Sequence, residues 1–79
     1  MTQDKEKGQR VYRKLLYFYE NNFPIFFKLE NGNWRAGIIL DLSKEKFTLV
    51  LKEFLMGELP FLLEEINEDS ITKYVKREE

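Results

Sequence analysis

The dipeptide Asn31-Gly32 constrains the fold of this chain more than any other feature of the sequence. It separates two runs in which apolar residues recur at every second position, and a period of two is the period of a β-strand. Asn and Gly both tolerate positive φ, which a type I′ turn needs at its two central residues. The sequence therefore predicts a β-hairpin with a type I′ turn at these two residues.

The two strands of this hairpin are predicted to bury one face each. In the first strand, Ile25, Phe27 and Leu29 share a face. In the second strand the larger apolar set is predicted to face the core, which leaves Phe26 and Ile39 on the opposite faces of their strands. That apolar set consists of Trp34, Ala36, Ile38, Leu40 and Leu42. Gly37 inside the second strand indicates a sharp bend or a close approach of two backbones.

The rest of the chain supplies one helix and three short strands. Apolar residues recur at helical spacing from Gln9 to Tyr19, and Asn21-Asn22 before Phe23-Pro24 ends the helix. Further strands are predicted at residues 47–52, 59–63 and 71–75, between polar turns. The 79 residues are thus predicted to form one mainly β (α+β) domain, 1–79. It has an amphipathic helix at about 9–21 and a five-stranded, strongly bent antiparallel barrel at about 23–76.

The residue types argue against catalysis. The chain has no His and no Cys, so it lacks the usual general base, the thiol nucleophile and the thiolate metal ligand. The acids at 64, 65, 68 and 69 could attract a divalent cation, but adjacent acids on a strand point in opposite directions and no loop glycine supports a cage. We therefore expect a binding protein that is not an enzyme and has no metal or cofactor.

Charge is distributed unevenly, although the formal net charge is only -1. Residues 1–14 are rich in Lys and Arg, whereas residues 53–69 carry acids and no basic residue. Two interpretations remain open: solvated faces that keep a small protein soluble, or complementary surfaces used head to tail or toward a ligand. No apolar run approaches the roughly 20 residues that span a bilayer. We expect an intracellular, cytoplasmic protein without membrane association.

The segment 25–32, Ile-Phe-Phe-Lys-Leu-Glu-Asn-Gly, followed by Gly37-Ile38-Ile39, resembles the first sequence motif of Sm and Sm-like proteins. In that family, alternating apolar residues lead into Leu-x-Asn-Gly or Leu-x-Asp-Gly, and a second glycine follows five positions later. The resemblance covers most of the chain and implies an Sm-like (SH3-like) barrel that binds RNA. It also implies a homo-oligomer, in which the fourth strand of one copy pairs with the fifth strand of its neighbour.

The chain departs from the family in both RNA-pocket motifs. The turn at 43–48, Ser-Lys-Glu-Lys-Phe-Thr, lacks the family's Met-Asn, whose amide reads a base edge. Where the family has Arg-Gly after a short apolar strand, this chain has Glu64-Glu65, which would repel a phosphate. RNA binding is therefore assigned to other basic, aromatic and hydroxyl side chains, most of which lie in the turn at 43–48. These are Arg35, Lys44, Lys46, Phe47 and Thr48.

The alternative hypothesis is a protein-interaction or scaffold domain without nucleic-acid binding. A late apolar set is too large for one small barrel to bury, and exposed apolar patches are typical of protein interfaces. The set consists of Phe54, Leu55, Met56, Leu59, Phe61 and Leu62. Trp34 and Arg35 also have two interpretations. They could form a stacking platform with a phosphate contact, but the sequence favours Trp34 as a cap on the core.

Overall fold

The computed structural model describes residues 2–75, with side chains from Glu6 onward. The helix α1 begins well before Gln9, and five strands follow it. The elements are α1 (Thr2–Glu20), β1 (Ile25–Lys28), β2 (Trp34–Ser43), β3 (Thr48–Glu53), β4 (Gly57–Leu62) and β5 (Thr72–Lys73). Two short 3-10 turns, Leu63–Glu65 and Glu68–Ser70, join β4 to β5.

All five strands lie in one antiparallel sheet of order β4-β3-β2-β1-β5. The predicted helix followed by a five-stranded antiparallel sheet is confirmed. The sheet does not close into a barrel, because within residues 2–75 the edge strands β4 and β5 pair only with β3 and β1. β5 has only two residues, and the segment before it is occupied by the two 3-10 turns rather than by a strand that could reach β4.

The pairings require a strong bend in β2. Its ten residues would extend over about 30 Å if the strand were straight. Leu62 pairs with Thr48 beside one end of β2, whereas Ile66 bridges Leu29 beside the other end. The chain from Leu62 to Ile66 can span at most about 14 Å. The sheet must therefore curl until these two places lie close together.

Two local features allow this bend. A Cβ on Gly37 would lie 2.2 Å from the carbonyl oxygen of Lys52, so the backbones of β2 and β3 approach too closely for a side chain. This confirms the close approach predicted from the glycine. The pairing register between β2 and β3 also shifts between Ile39 and Asp41, which is a β-bulge. The bulge turns Leu42 back toward the core.

The core lies between the concave face of the sheet, α1 and the segment after β4. The predicted buried face of the first strand is confirmed, and Val11 and Leu15 of α1 belong to the same core cluster. The fully or almost fully buried apolar residues are Val11, Leu15, Ile25, Phe27, Leu29, Ile39, Leu49, Leu51, Leu63 and Ile66. The ring of Phe27 meets that of Phe61 edge to face, with centroids 5.8 Å apart.

The predicted buried face of β2 is wrong for Trp34 and Leu40, whereas Leu42 packs against the core as predicted. Ile39 is buried, whereas Trp34 is 48% exposed and Leu40 is 42% exposed. Trp34 therefore does not cap the core and lies on the outer face of the sheet. Both faces of this strand carry apolar residues, and the prediction chose the face with the larger number of them. A change of one residue in register exchanges the two faces.

The turn at Asn31-Gly32 is also not type I′, because Gly32 has a φ of 96° and Asn31 does not lie in the left-handed region. The Gly32 N–H donates to the Leu29 carbonyl at 2.9 Å, and the Leu29 N–H donates to the Asn33 carbonyl at 2.7 Å. The Asn31 side chain accepts the Asn33 N–H at 3.0 Å. This is a three-residue hairpin loop that ends in a left-handed glycine.

The end of α1 follows the prediction. Asn22 has a φ of 54°, and the Phe23 N–H donates to the Phe18 carbonyl at 3.0 Å. The Asn22 N–H donates to the Tyr19 carbonyl, which completes a Schellman arrangement. The helix therefore stops at a defined residue, and the chain enters β1 through Pro24.

Candidate functional site

The basic face of α1 is neutralised within the chain. The Arg10 Nε lies 3.0 Å from both carboxylate oxygens of Glu68, and the Lys14 Nζ donates to the Glu68 carbonyl at 3.2 Å. The Lys7 Nζ lies 3.6 Å from Glu30 and donates to the Glu64 carbonyl at 2.9 Å. The basic and acidic ends of the sequence thus bind each other across the fold, an arrangement that neither interpretation of the charge pattern anticipated.

A groove lies on another side of α1, between the helix and the turn that joins β2 to β3. Its volume is about 280 Å³ and it is open to solvent. Four helix residues and two turn residues line it: Gln9, Tyr12, Arg13, Leu16, Lys44 and Phe47. The volume falls just below the roughly 300–1,000 Å³ of small-molecule pockets, so the groove suits one flat ring better than a large ligand.

The turn that forms one wall is held in a fixed conformation. The Lys46 N–H donates to the Ser43 hydroxyl oxygen at 3.1 Å, and the Leu63 N–H donates to the Phe47 carbonyl at 2.9 Å. Phe47 has a φ of 52°, which is uncommon for an aromatic residue. Its ring packs against the core and against Gly8 of the helix. The wall is therefore formed before any ligand arrives.

The electrostatics of the groove are positive. Arg13 and Lys44 are exposed at its rim, and no carboxylate lies within 4.0 Å of either among the side chains that the structure describes. Between them lie the half-buried side chains of Tyr12, Leu16 and Phe47. Two cations beside aromatic and apolar surface fit a ligand that has a flat ring and a negative charge.

The structure brings together some of the residues predicted to bind RNA and separates others. Lys44 and Phe47 line the groove, Lys46 belongs to the same turn, and Thr48 begins β3 beside it. Arg35 lies near the opposite end of β2, where its Nη1 donates to the Trp34 carbonyl at 2.9 Å and its Nε is buried with no acceptor. The five predicted residues therefore do not form one site.

The helix side of the groove was not identified from the sequence. Tyr12 and Leu16 fall within the apolar stripe predicted for the helix, and Arg13 falls within the basic region 1–14. One signal in the sequence could have indicated the groove: the apolar stripe of the helix is wider than the part of the helix that the curled sheet covers. Nothing in the sequence indicated that Gln9 and Arg13 lie opposite Lys44.

A second surface is a row of four aromatic side chains on the outer face of the sheet, here called the aromatic row: Trp34, Phe26, Tyr74 and Phe54. Trp34 and Phe26 are stacked, with centroids 4.5 Å apart and an interplanar angle of 7°. Tyr74 lies 6.4 Å from Phe26 and 5.1 Å from Phe54 between ring centroids. The sequence pattern missed the row because it predicts Trp34 on the buried face of the second strand.

The predicted interface residues are partly exposed. Leu55 is 91% exposed and Met56 is 67% exposed in the turn between β3 and β4, where they continue from Phe54. Leu62 is 43% exposed at the far end of β4, whereas Leu59 and Phe61 are partly buried. The six residues thus form no single patch, and the turn holds the most exposed ones.

Glu53 fixes that turn. It is only 8% exposed, and one of its carboxylate oxygens accepts the N–H groups of Leu55 and Met56, both at 2.7 Å. Gly57 closes the turn with a φ of 84°. The turn therefore presents two large apolar side chains to solvent on a rigid backbone.

Within the described residues, no three acidic side chains converge as a metal site requires. No helix there is both long enough and apolar enough to cross a membrane. The chain matches no protein-family model, no curated protein and no solved structure.

Proposed function

We propose that this chain is an Sm-like protein that binds single-stranded RNA without catalysis. The observation that carries the proposal is the groove between α1 and the β2–β3 turn, where Arg13 and Lys44 flank Tyr12, Leu16 and Phe47. The two cations would contact phosphates, and the rings would contact a base. Lys44 and Phe47 belong to the turn through which the family resemblance implies RNA binding.

The topology supports the Sm-like part of the proposal. The single five-stranded antiparallel sheet and the strong bend of β2 agree with the expectation from the resemblance. β4 and β5 are edges without a strand partner on their outer sides in the described residues. An unpaired edge is a template for another strand, so pairing of β4 with β5 of a second copy would complete a homo-oligomer.

The acidic segment opposes RNA binding less than the sequence indicated. Glu68 is engaged by Arg10 and Lys14, so part of its charge is neutralised before a phosphate approaches. Glu64 and Glu65 remain exposed, on the segment that faces Lys7 rather than Arg13. The repulsion expected from these acids is therefore local.

The test is fluorescence anisotropy of a labelled single-stranded RNA 12-mer, titrated with protein at several salt concentrations. Arg13→Gln and Lys44→Gln should each weaken binding and lower the slope of log K against log salt by about one. Lys14→Gln is the matched control, because Lys14 neighbours Arg13 but contacts Glu68. An intact protein that fails to bind RNA at low salt would refute the function, and equal effects of all three variants would refute the groove.

A second function, protein association, is favoured by the turn between β3 and β4. A buried carboxylate that orders Leu55 and Met56 reduces the entropy lost when a partner covers them. Light scattering on the RNA-free protein tests association between copies. Leu55→Ser should lower the solution mass, whereas Leu40→Ser, a matched change of an exposed leucine on β2, should not. A wild-type mass equal to that of the monomer would leave only a different protein as the partner.

A further inference from the structure

We infer that the Trp34 end of the aromatic row is a second contact surface for single-stranded RNA, on which one base stacks. This inference rests on the proposed RNA binding but concerns a different face of the molecule. The groove lies at the Ser43 end of β2, whereas Trp34 begins that strand.

The Trp34 ring is held in place before binding. It is stacked on Phe26, which is half-buried on the neighbouring strand, at a centroid distance of 4.5 Å. Trp34 itself is 48% exposed on the sheet face that points away from the core. A flat, fixed and accessible ring is what a base needs for stacking, and such stacking tolerates any base because every base has a π-face.

The charge at this end of the row fits RNA better than an apolar protein partner. Lys28 pairs with Trp34 across the two strands, and its Nζ lies 5.9 Å from the centroid of the Trp34 ring. Lys28 has no carboxylate within 4.0 Å among the described side chains, in contrast to Lys7 and Arg10. An apolar partner would bury Lys28 without a counter-charge, whereas a phosphate would supply one.

The opposite end of the row has a different character. Phe54 continues into Leu55 and Met56, which are exposed and uncharged. The row therefore divides into a Trp34 end flanked by the Lys28 cation and a Phe54 end flanked by aliphatic side chains. Only the first has the combination of rings and positive charge that is typical of single-strand binding surfaces.

The experiment uses intrinsic fluorescence, because Trp34 is the single tryptophan of the chain. Titration with an unlabelled RNA 12-mer should quench the emission as the base stacks. In parallel anisotropy titrations, Trp34→Ala should weaken binding about tenfold, whereas Trp34→Phe, which keeps a ring, should stay within about threefold of wild type. Lys28→Gln should lower the salt slope by about one.

The outcomes separate this inference from the proposed function. If the wild-type protein binds no RNA by anisotropy, the proposed function fails and this inference fails with it. If RNA binds and Arg13→Gln weakens it, but Trp34 is not quenched and Trp34→Ala binds normally, only this inference is overturned. Emission that shifts to the blue with protein concentration, without RNA, would show a contact between copies and would also overturn it.

Discussion

The ring of Phe47 lies directly against the backbone of Gly8, so that a Cβ at Gly8 would lie 3.0 Å from the Phe47 Cδ1. This contact joins α1 to the turn between β2 and β3, the two elements that line the groove. The left-handed backbone of Phe47 and its contact with the core leave the ring little freedom to move. The glycine therefore makes room for the ring that it meets, although it weakens the helix.

Gly8→Ala should not stabilise the protein. Alanine favours an exposed helix by about 1 kcal/mol relative to glycine, but here the added methyl group presses on the Phe47 ring. We expect a net loss of about 1 kcal/mol in the free energy of unfolding, measured by urea denaturation. In a Phe47→Leu background the same change should become stabilising. If Gly8→Ala instead raised the free energy of unfolding of the wild-type protein by about 1 kcal/mol, the contact between Phe47 and Gly8 would be contradicted.

Gly37→Ala should be far more damaging than Gly32→Ala. A Cβ at Gly37 would lie 2.2 Å from the Lys52 carbonyl oxygen, which belongs to a paired strand and cannot move aside. We expect a loss above about 3 kcal/mol or no folded protein. Gly32 has nothing within 4 Å, and its φ of 96° costs an alanine about 1–2 kcal/mol. Equal urea midpoints for the two variants would contradict the bend at Gly37.

The sequence predicts elements with one apolar face better than elements with two. In β1 and β3 one face carries most of the apolar residues, and Phe27, Leu49 and Leu51 are buried as expected. In β2 both faces carry apolar residues, so Trp34 was placed inside and Ile39 outside. The bulge that returns Leu42 to the core depends on contacts with β3, which no local pattern encodes.

The candidate site was only half predictable for a related reason. Lys44 and Phe47 lie at the turn between the second and third predicted strands, and the sequence alone locates that turn. Arg13 and Tyr12 reach the same groove only because α1 packs across that turn, and such packing depends on residues distant in the chain. Gly8 lies just before the predicted helix, and no local pattern indicates that Phe47 is its neighbour in the fold.

Glu53 should stabilise the turn between β3 and β4 through its carboxylate. Glu53→Ala removes the acceptor of two backbone N–H groups and should cost about 2 kcal/mol in the free energy of unfolding. Glu53→Gln keeps a carbonyl acceptor and should cost about half as much. Urea denaturation measures the loss, and amide hydrogen exchange at Leu55 and Met56 locates it. Glu58→Ala, an exposed acid on the next strand, should change stability by less than about 0.5 kcal/mol.

The pair of Arg10 and Glu68 should contribute little to stability and more to the charge that RNA meets. Both groups are partly exposed, so the coupling energy in a double-mutant cycle should be below about 1 kcal/mol. It should shrink further in 0.5 M NaCl, where the screening length is a few ångströms.

Arg10→Gln also frees the Glu68 carboxylate from its nearest cation. We therefore expect Arg10→Gln to lower the affinity for RNA by more than the loss of one remote positive charge would. Adding Glu68→Gln to that variant should restore most of the affinity. Additive effects of the two changes on RNA affinity would show that the acidic segment is too far from the bound RNA to matter.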